Sequence, residues 1–281
     1  MEEKYIKSFN HMNKATNTKD YHWVGSQKHF VDEIDIHNIN DIVLGRFGGN
    51  STAGQNKNED GCIVWVNEYI GYEFVVLLDA HQTAESAELV LATIQSLEDD
   101  VKSSLTLSPR ESFDRLYKLL LSTFESRSFK EACKRVQGET ACLCAVRKDK
   151  YLWWFSVGDC ILYLNHPELS DLNEYQQNHR SFYEWIGKVN TFELEVPCFS
   201  TGTKELRQGR NHILLTTDGL VECPNVDFSN PKKIFKTFVE VTNEGGVLIL
   251  LKEIQNQNVR DSTTIISWFV DIDKAGSQPS K

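Results

Sequence analysis

Two apolar runs of matching design dominate the chain. Phe74-Val75-Val76-Leu77-Leu78 stops on Asp79-Ala80-His81, and His212-Ile213-Leu214-Leu215-Thr216-Thr217 stops on Asp218-Gly219. Uninterrupted β-favouring runs of this length predict buried strands that deliver polar groups at their ends. Before the first lie two shorter runs, Asp41 to Phe47 followed by Gly48-Gly49-Asn50, and Cys62-Ile63-Val64-Trp65-Val66 bounded by a turn at Glu68 to Gly71. The three together read as a local antiparallel group.

The period then changes from strand to helix. Ala84, Ala87, Leu91 and Ile94 follow a 3.6-residue repeat, and Ser108-Pro109-Arg110-Glu111 has the form of a helix start with a capping box, continued by Phe113, Leu116, Leu120 and Phe124. Gly138-Glu139-Thr140 opens a β-rich stretch of three runs, Ala141 to Val146, Tyr151 to Val157 and Cys160 to Leu164. Their short links require antiparallel pairing, because parallel neighbours need long crossovers. Residues 165 to about 205 are polar and irregular apart from Phe182 to Ile186 and Phe192 to Val196, an insertion of the kind that contacts substrate. Helices are predicted after Asn230-Pro231 and across Val247, Leu250, Leu251 and Ile254, and a last strand over Ser262 to Val270. Strands, helices, strands, helices, strand in that order predict an α+β fold, antiparallel sheets covered by helices.

With 281 residues and 40% hydrophobic content, the chain has enough material for one large core, and no linker divides its middle. The expected organisation is a peripheral segment over residues 1–38, one domain over 39–272 and a tail over 273–281. A net charge of −10 argues against nucleic acid or anionic membrane as a partner, since both are bound by surplus Lys and Arg. No apolar run reaches spanning length, so the expected compartment is the cytoplasm. Seven cysteines, an odd number in a chain too large to need staples, read as reduced thiols.

Asp60, Asp79, Asp218 and Asp261 each stand at a strand boundary beside a small residue. Any one of them alone reads as a turn residue or cap. Gathered at one sheet rim they would repel, and hard oxygen donors in that number suit Mg²⁺ or Mn²⁺.

Six short motifs extend the pattern: Asn58-Glu59-Asp60, Asp79-Ala80-His81, Gly138-Glu139-Thr140-Ala141, Val157-Gly158-Asp159-Cys160, Thr217-Asp218-Gly219-Leu220 and Asp261-Ser262-Thr263-Thr264. In this order, over roughly residues 40 to 270, the chain resembles the metal-dependent protein serine/threonine phosphatases of type 2C. The resemblance implies two antiparallel β-sheets packed as a sandwich with helices on both outer faces, and a centre of two Mn or Mg ions at one rim. It implies that Asp79 bridges the metals, that Asp218 and Asp261 complete one site, and that the Ala80 carbonyl joins the other with Glu59 and Asp60 nearby. His81 falls where the family places a general acid. The implied activity is hydrolysis of phosphoserine or phosphothreonine in protein substrates by hydroxide generated at the metals.

The chain departs from the family at the phosphate. The arginine commonly found five residues before the position of Asp60 is Gln55, the glycines usual after the histidine are Gln82 and Thr83, and the glycine after the bridging aspartate is Ala80. Lys57 is the nearest replacement cation, though it offers a point charge where arginine offers a two-pronged donor; Arg46 is a further one. These departures leave open a metal-binding pseudophosphatase that recognises a phosphoprotein or ligand, and a phosphatase for small phosphate esters.

Overall fold

The computed structural model describes residues 18–278 and 280. Among the described residues, twelve strands form two antiparallel sheets that face each other. The first sheet runs in the order β1 (Thr18–Val24), β4 (Gly61–Asn67), β5 (Tyr72–His81), β6 (Glu139–Lys148), β7 (Tyr151–Val157), β10 (Ser200–Glu205), with the two-residue β9 (Ile186–Gly187) also on β6. The second runs β2 (Ile34–Ile39), β3 (Ile42–Phe47), β12 (Thr263–Ile272), β11 (Gly209–Thr216), β8 (Ile161–Asn165). Helices α1 (Glu85–Ser96), α2 (Glu98–Ser104), α3 (Pro109–Phe124) and α4 (Arg127–Cys133) cover the outer face of the first sheet. On the second sheet lie α6 (Asp218–Val221), α7 (Pro231–Lys236) and α8 (Asn243–Asn256), while the single turn α5 (Pro167–Ser170) begins the insertion. These are the helix-covered antiparallel sheets that the strand and helix order predicts, packed as the sandwich that the resemblance implies.

Strand parity sorts the core into three layers. Along β5, Phe74, Val76, Leu78 and Ala80 point to the helices, whereas Val75 and Leu77 point between the sheets. The other strands divide alike: Cys62, Val64, Leu143, Leu162, Ile213, Leu215, Ile266 and Trp268 fill the inter-sheet layer, and Leu214 and Ile265 meet α7 and α8. Burying one such side chain contributes roughly 1.5–3 kcal/mol, so a one-residue register slip in a central strand is heavily penalised. Cys142 and Cys144 share the helix-facing side of β6 as buried free thiols.

Four local expectations change. Residues 18–38, assigned to a peripheral segment, supply β1, which pairs with β4, and β2, which pairs with β3, so this stretch belongs to both sheets; residues 1–17 lie outside the described residues. The pattern hides β1 because Trp23 and Val24 are its only described fully buried side chains. The group of three neighbouring runs is split: β4 and β5 do pair, but β3 sits between β2 and β12 in the opposite sheet. In the insertion, Phe182 to Ile186 yields only the start of β9, Phe192 lies in a 3₁₀ turn over Thr191–Glu193, and β10 is a strand of polar sequence. At the start of α3, Ser108 Oγ donates to Glu111 Oε2 at 2.7 Å and caps no backbone N–H, so the expected capping box is reduced to a side-chain bond. The tail docks on the sheet edge, the Ser277 N–H donating to Glu205 Oε2 at 3.0 Å and Arg207 Nη1 to the Ser277 carbonyl at 3.1 Å.

Candidate metal centre and substrate cleft

The inter-sheet layer turns from apolar to acidic at one end. Asp60 precedes Cys62 by two residues and Asp79 follows Leu77 by two, so both keep the parity of the layer and point into its open rim. Thr217 follows the end of β11, and Asp218 begins α6 immediately afterwards. Gly219 must follow without a side chain, because a Cβ there would lie 2.4 Å from the Ser262 carbonyl oxygen.

Asp79, Asp159 and Asp218 converge. One carboxylate oxygen from each lies within 4.8 Å of the others, and all three residues are buried. Asp79 Oδ2, Asp159 Oδ1 and Asp218 Oδ1 are buried oxygens with no hydrogen-bond partner. Burial raises the Asp79 carboxyl well above its ordinary range, and the nearby Asp218 adds to the effect. Asp218 is pushed up to about 8, first by burial and then by Asp261, and Asp159 is raised by burial against the pull of Arg180. Unpartnered carboxylate oxygens in a dry site are costly unless a cation meets them. The donor set therefore fits a hard divalent ion, all oxygen and crowded enough to compensate its charge.

The remaining expected ligands stand around this core. Asp60 is fully buried, but both of its oxygens are occupied: Ser262 Oγ donates to Oδ1 at 2.8 Å and Thr264 Oγ1 to Oδ2 at 2.6 Å. Burial pushes its carboxyl up to about 7. The pair of hydroxyl bonds ties β12 to the approach of β4. Asp261 is exposed at the mouth, accepts from the Ser262 N–H at 3.0 Å, and is raised chiefly by desolvation. Glu59 pairs with Lys57, Nζ to Oε1 at 2.6 Å. Ala80 is buried on the helix side opposite Thr140. His81 ends β5 with its side chain exposed, and when protonated it favours the charged forms of Asp159 and Asp261.

Beside the carboxylates opens a cleft of about 420 Å³ lined by Gln55, Lys57, Glu59, Gln82, Arg260 and Asp261. Gln55 is buried and its Oε1 accepts from the neighbouring Asn56 N–H at 3.1 Å. Lys57 also donates to the Gln82 carbonyl. Gln82 has a φ of 70°, a left-handed conformation costly for a non-glycine residue, so the glycine usual there was serving the turn. Arg46 lies elsewhere: it is buried, donating from Nε to Asp35 Oδ2 at 3.0 Å and from Nη1 to the Tyr21 hydroxyl at 2.6 Å, with Trp23 and Phe30 against its guanidinium.

Two residues of the site carried no assignment in the sequence reading. Asp159 follows Gly158, whose φ of 86° and 2.6 Å approach of a Cβ to that of Ala141 make glycine necessary at this turn; the same strand-end grammar that marks the other aspartates marks it too. Arg180 comes from the irregular insertion and has no local signal. Its guanidinium stands 3.6 Å from Asp218 Oδ2, donates to Glu222 Oε1 at 2.7 Å and to the Asp159 carbonyl at 3.3 Å, and lies over the Phe182 ring.

No protein-family model matches the chain, and no curated protein matches it in sequence. Solved structures do. It is similar to a bacterial serine phosphatase bearing a point mutation, at 17% identity and a TM-score of 0.63 over 84% of this chain and 100% of that one. The serine/threonine phosphatase Stp1 from Staphylococcus aureus is 14% identical, with a TM-score of 0.53 over 90% and 94% of the two chains. RsbX in complex with magnesium is 12% identical, with a TM-score of 0.53 over 84% and 100%. With its two helix-covered antiparallel sheets and the acidic rim between them, the chain has the fold of the bacterial serine/threonine phosphatases.

Proposed function

We propose that the protein is a metal-dependent phosphatase of type 2C that removes phosphate from serine or threonine in protein substrates. The observation that carries this reading is the convergence of Asp79, Asp159 and Asp218 with three unpartnered buried oxygens, at the rim of a phosphatase fold. Asp79 and Asp218 would hold Mn²⁺ or Mg²⁺ with Asp159 beside them, and Asp261, Glu59, Asp60 and the Ala80 carbonyl would be the donors available to a second ion. Bound there, two divalent cations lower the pKa of water and neutralise charge on phosphoryl oxygens.

The chain's own groups supply the rest. Asp60, held by Ser262 and Thr264, fixes the two sheets at the rim so that the carboxylates keep their spacing. A serine or threonine alkoxide is a poor leaving group, and His81, exposed at the end of β5, would donate a proton to its oxygen. Arg180 neutralises part of the charge of Asp218 and stacks on the exposed ring of Phe182, an apolar surface beside the site that suits a protein substrate better than a small ester. A cytoplasmic setting agrees with seven free cysteines, six of them buried. Among the described residues no helix is long and apolar enough to cross a membrane.

Assay of the purified protein on a phosphoserine peptide and on an aryl phosphate, with Mn²⁺ or with excess chelator, tests the reading. Turnover of the peptide that needs the metal and survives thiol alkylation is the expected result. Undiminished activity in chelator would overturn the metal mechanism, and peptide binding without turnover would identify a pseudophosphatase.

A further inference from the structure

The cleft beside the carboxylates contains two cations in different states. Lys57 is committed: its ammonium pairs with Glu59 at 2.6 Å and donates to the Gln82 carbonyl. Turning it toward a phosphate would strip Glu59 of its partner and release the left-handed backbone of Gln82. Arg260, which also lines the cleft, is exposed and has no side-chain hydrogen bond or ion pair with another described residue.

The segments that carry Gln55 and Arg260 are one unit. Asn50 donates from its backbone N–H and from Nδ2 to the Val259 carbonyl, at 2.9 and 3.0 Å, and Thr52 Oγ1 donates to Asn258 Oδ1 at 2.6 Å. The Gln55 N–H closes the loop on the Asn50 carbonyl at 3.1 Å. Gly49 lies so close that a Cβ would stand 2.0 Å from the Arg260 carbonyl oxygen. The loop bearing Gln55 and the turn bearing Arg260 are therefore fixed to one another, and both residues line the same cleft.

We propose that Arg260 grips the phosphoryl group of the substrate, in place of the arginine absent at Gln55. The proposal rests on the phosphatase reading and names the group that completes its substrate site. A phosphate monoester near neutral pH carries close to two negative charges and presents paired oxygens, which match the planar fork of arginine better than a lysine point charge. The acidic neighbours do not pre-empt the guanidinium: Glu59 is bound to Lys57, and Asp261 accepts from the Ser262 N–H. A free, exposed guanidinium gives up no protein contact when it binds.

The test compares Arg260→Ala, Arg260→Lys and the double variant Arg260→Ala/Gln55→Arg with the parent, all loaded with Mn²⁺. KM and kcat are measured on a phosphoserine peptide, and Kd for inorganic phosphate by calorimetry. Arg260→Ala should raise both KM and the phosphate Kd roughly tenfold to hundredfold, the scale of one charge-assisted bidentate contact. Arg260→Lys should fall between, and Gln55→Arg should restore part of the loss. Removing a surface cation on α3 by Lys118→Ala should move neither constant. Phosphate affinity within twofold of the parent in folded Arg260→Ala overturns the assignment, whether or not the peptide is turned over. A parent that binds phosphate through Arg260 yet hydrolyses nothing leaves the assignment standing and sinks the phosphatase reading instead.

Discussion

Asp218→Asn should make the metal-free protein more stable while destroying its response to metal. Without a cation the Asp218 carboxylate is buried beside Asp79 and Asp159 with ligand oxygens within 4.8 Å of one another, and its carboxyl is pushed up to about 8, burial first and Asp261 second. A carboxyl raised in the folded state opposes folding at every pH above its unfolded value. Between the ordinary 3.8 and an assay pH of 7 lie roughly three units, at about 1.4 kcal/mol each, which caps the relief near ~4 kcal/mol. Asparagine keeps the shape, loses the Arg180 contact and leaves Asp79 buried, so a gain of about 2 kcal/mol is the expected outcome. Urea unfolding at pH 7 in excess chelator reads it directly. In saturating Mn²⁺ the order should reverse, because the parent gains the binding free energy of the metal and the variant loses a ligand. An Asp218→Asn protein less stable than the parent in chelator, or equally stabilised by Mn²⁺, would refute the idea that these carboxylates form a strained cation site.

Two further tests concern the histidines. His81→Gln should lower kcat on a phosphoserine peptide by about 10²- to 10⁴-fold, the usual range for loss of a general acid, but far less on an aryl phosphate, whose phenolate leaves without a proton; equal losses on both substrates would remove the proton-donor role. His212 is buried, meets Ser267 Oγ at 2.7 Å, and burial, then Arg210, pushes its imidazole down to about 3. Below about 6.5 only the unfolded chain takes up that proton, so the stability is complete above 6.5 and lost as pH falls toward 3. From pH 7 to 5 this costs about 2 kcal/mol, and His212→Gln should flatten the unfolding profile by that amount relative to the parent.

The strands that carry the site were legible because burial on both faces makes them continuous apolar runs, and their polar ends mark the rim. Asp60 and Asp79 arrive there by strand parity, which the sequence displays, and Asp218 by opening the helix that follows β11. Asp159 was legible in principle, since Gly158-Asp159 is the same punctuation, but a single aspartate in a turn is ordinary. Arg180 and Arg260 were not legible. Each acquires its place through a chain reversal whose partner lies far off in sequence: Arg180 meets Glu222 across 42 positions, and the turn before Arg260 bonds Asn50 across 209. Strands β1 and β10 escaped for another reason, being edge strands with much of their length facing solvent, where the alternation that reveals a strand is diluted by polar residues.

The location of the acidic rim follows from what it costs. Several carboxylates held close together repel, and only a framework that cannot relax keeps them there. The inter-sheet layer is such a framework: β5 and β11 are central strands, each paired on both sides, and their apolar residues pack between the sheets as far as Leu77 and Leu215, just short of the acids. Asp60 shows how the junction is managed. Fully buried, it receives two hydroxyl hydrogen bonds from Ser262 and Thr264, so the sheets are clamped by a satisfied carboxylate beside the unsatisfied ones. Gln82 shows the same balance at the mouth, where a left-handed residue is retained by the Lys57 bond to its carbonyl. With Lys57 held in that structural duty, recognition of a phosphate falls, in the reading proposed above, to Arg260, which has no such duty to perform.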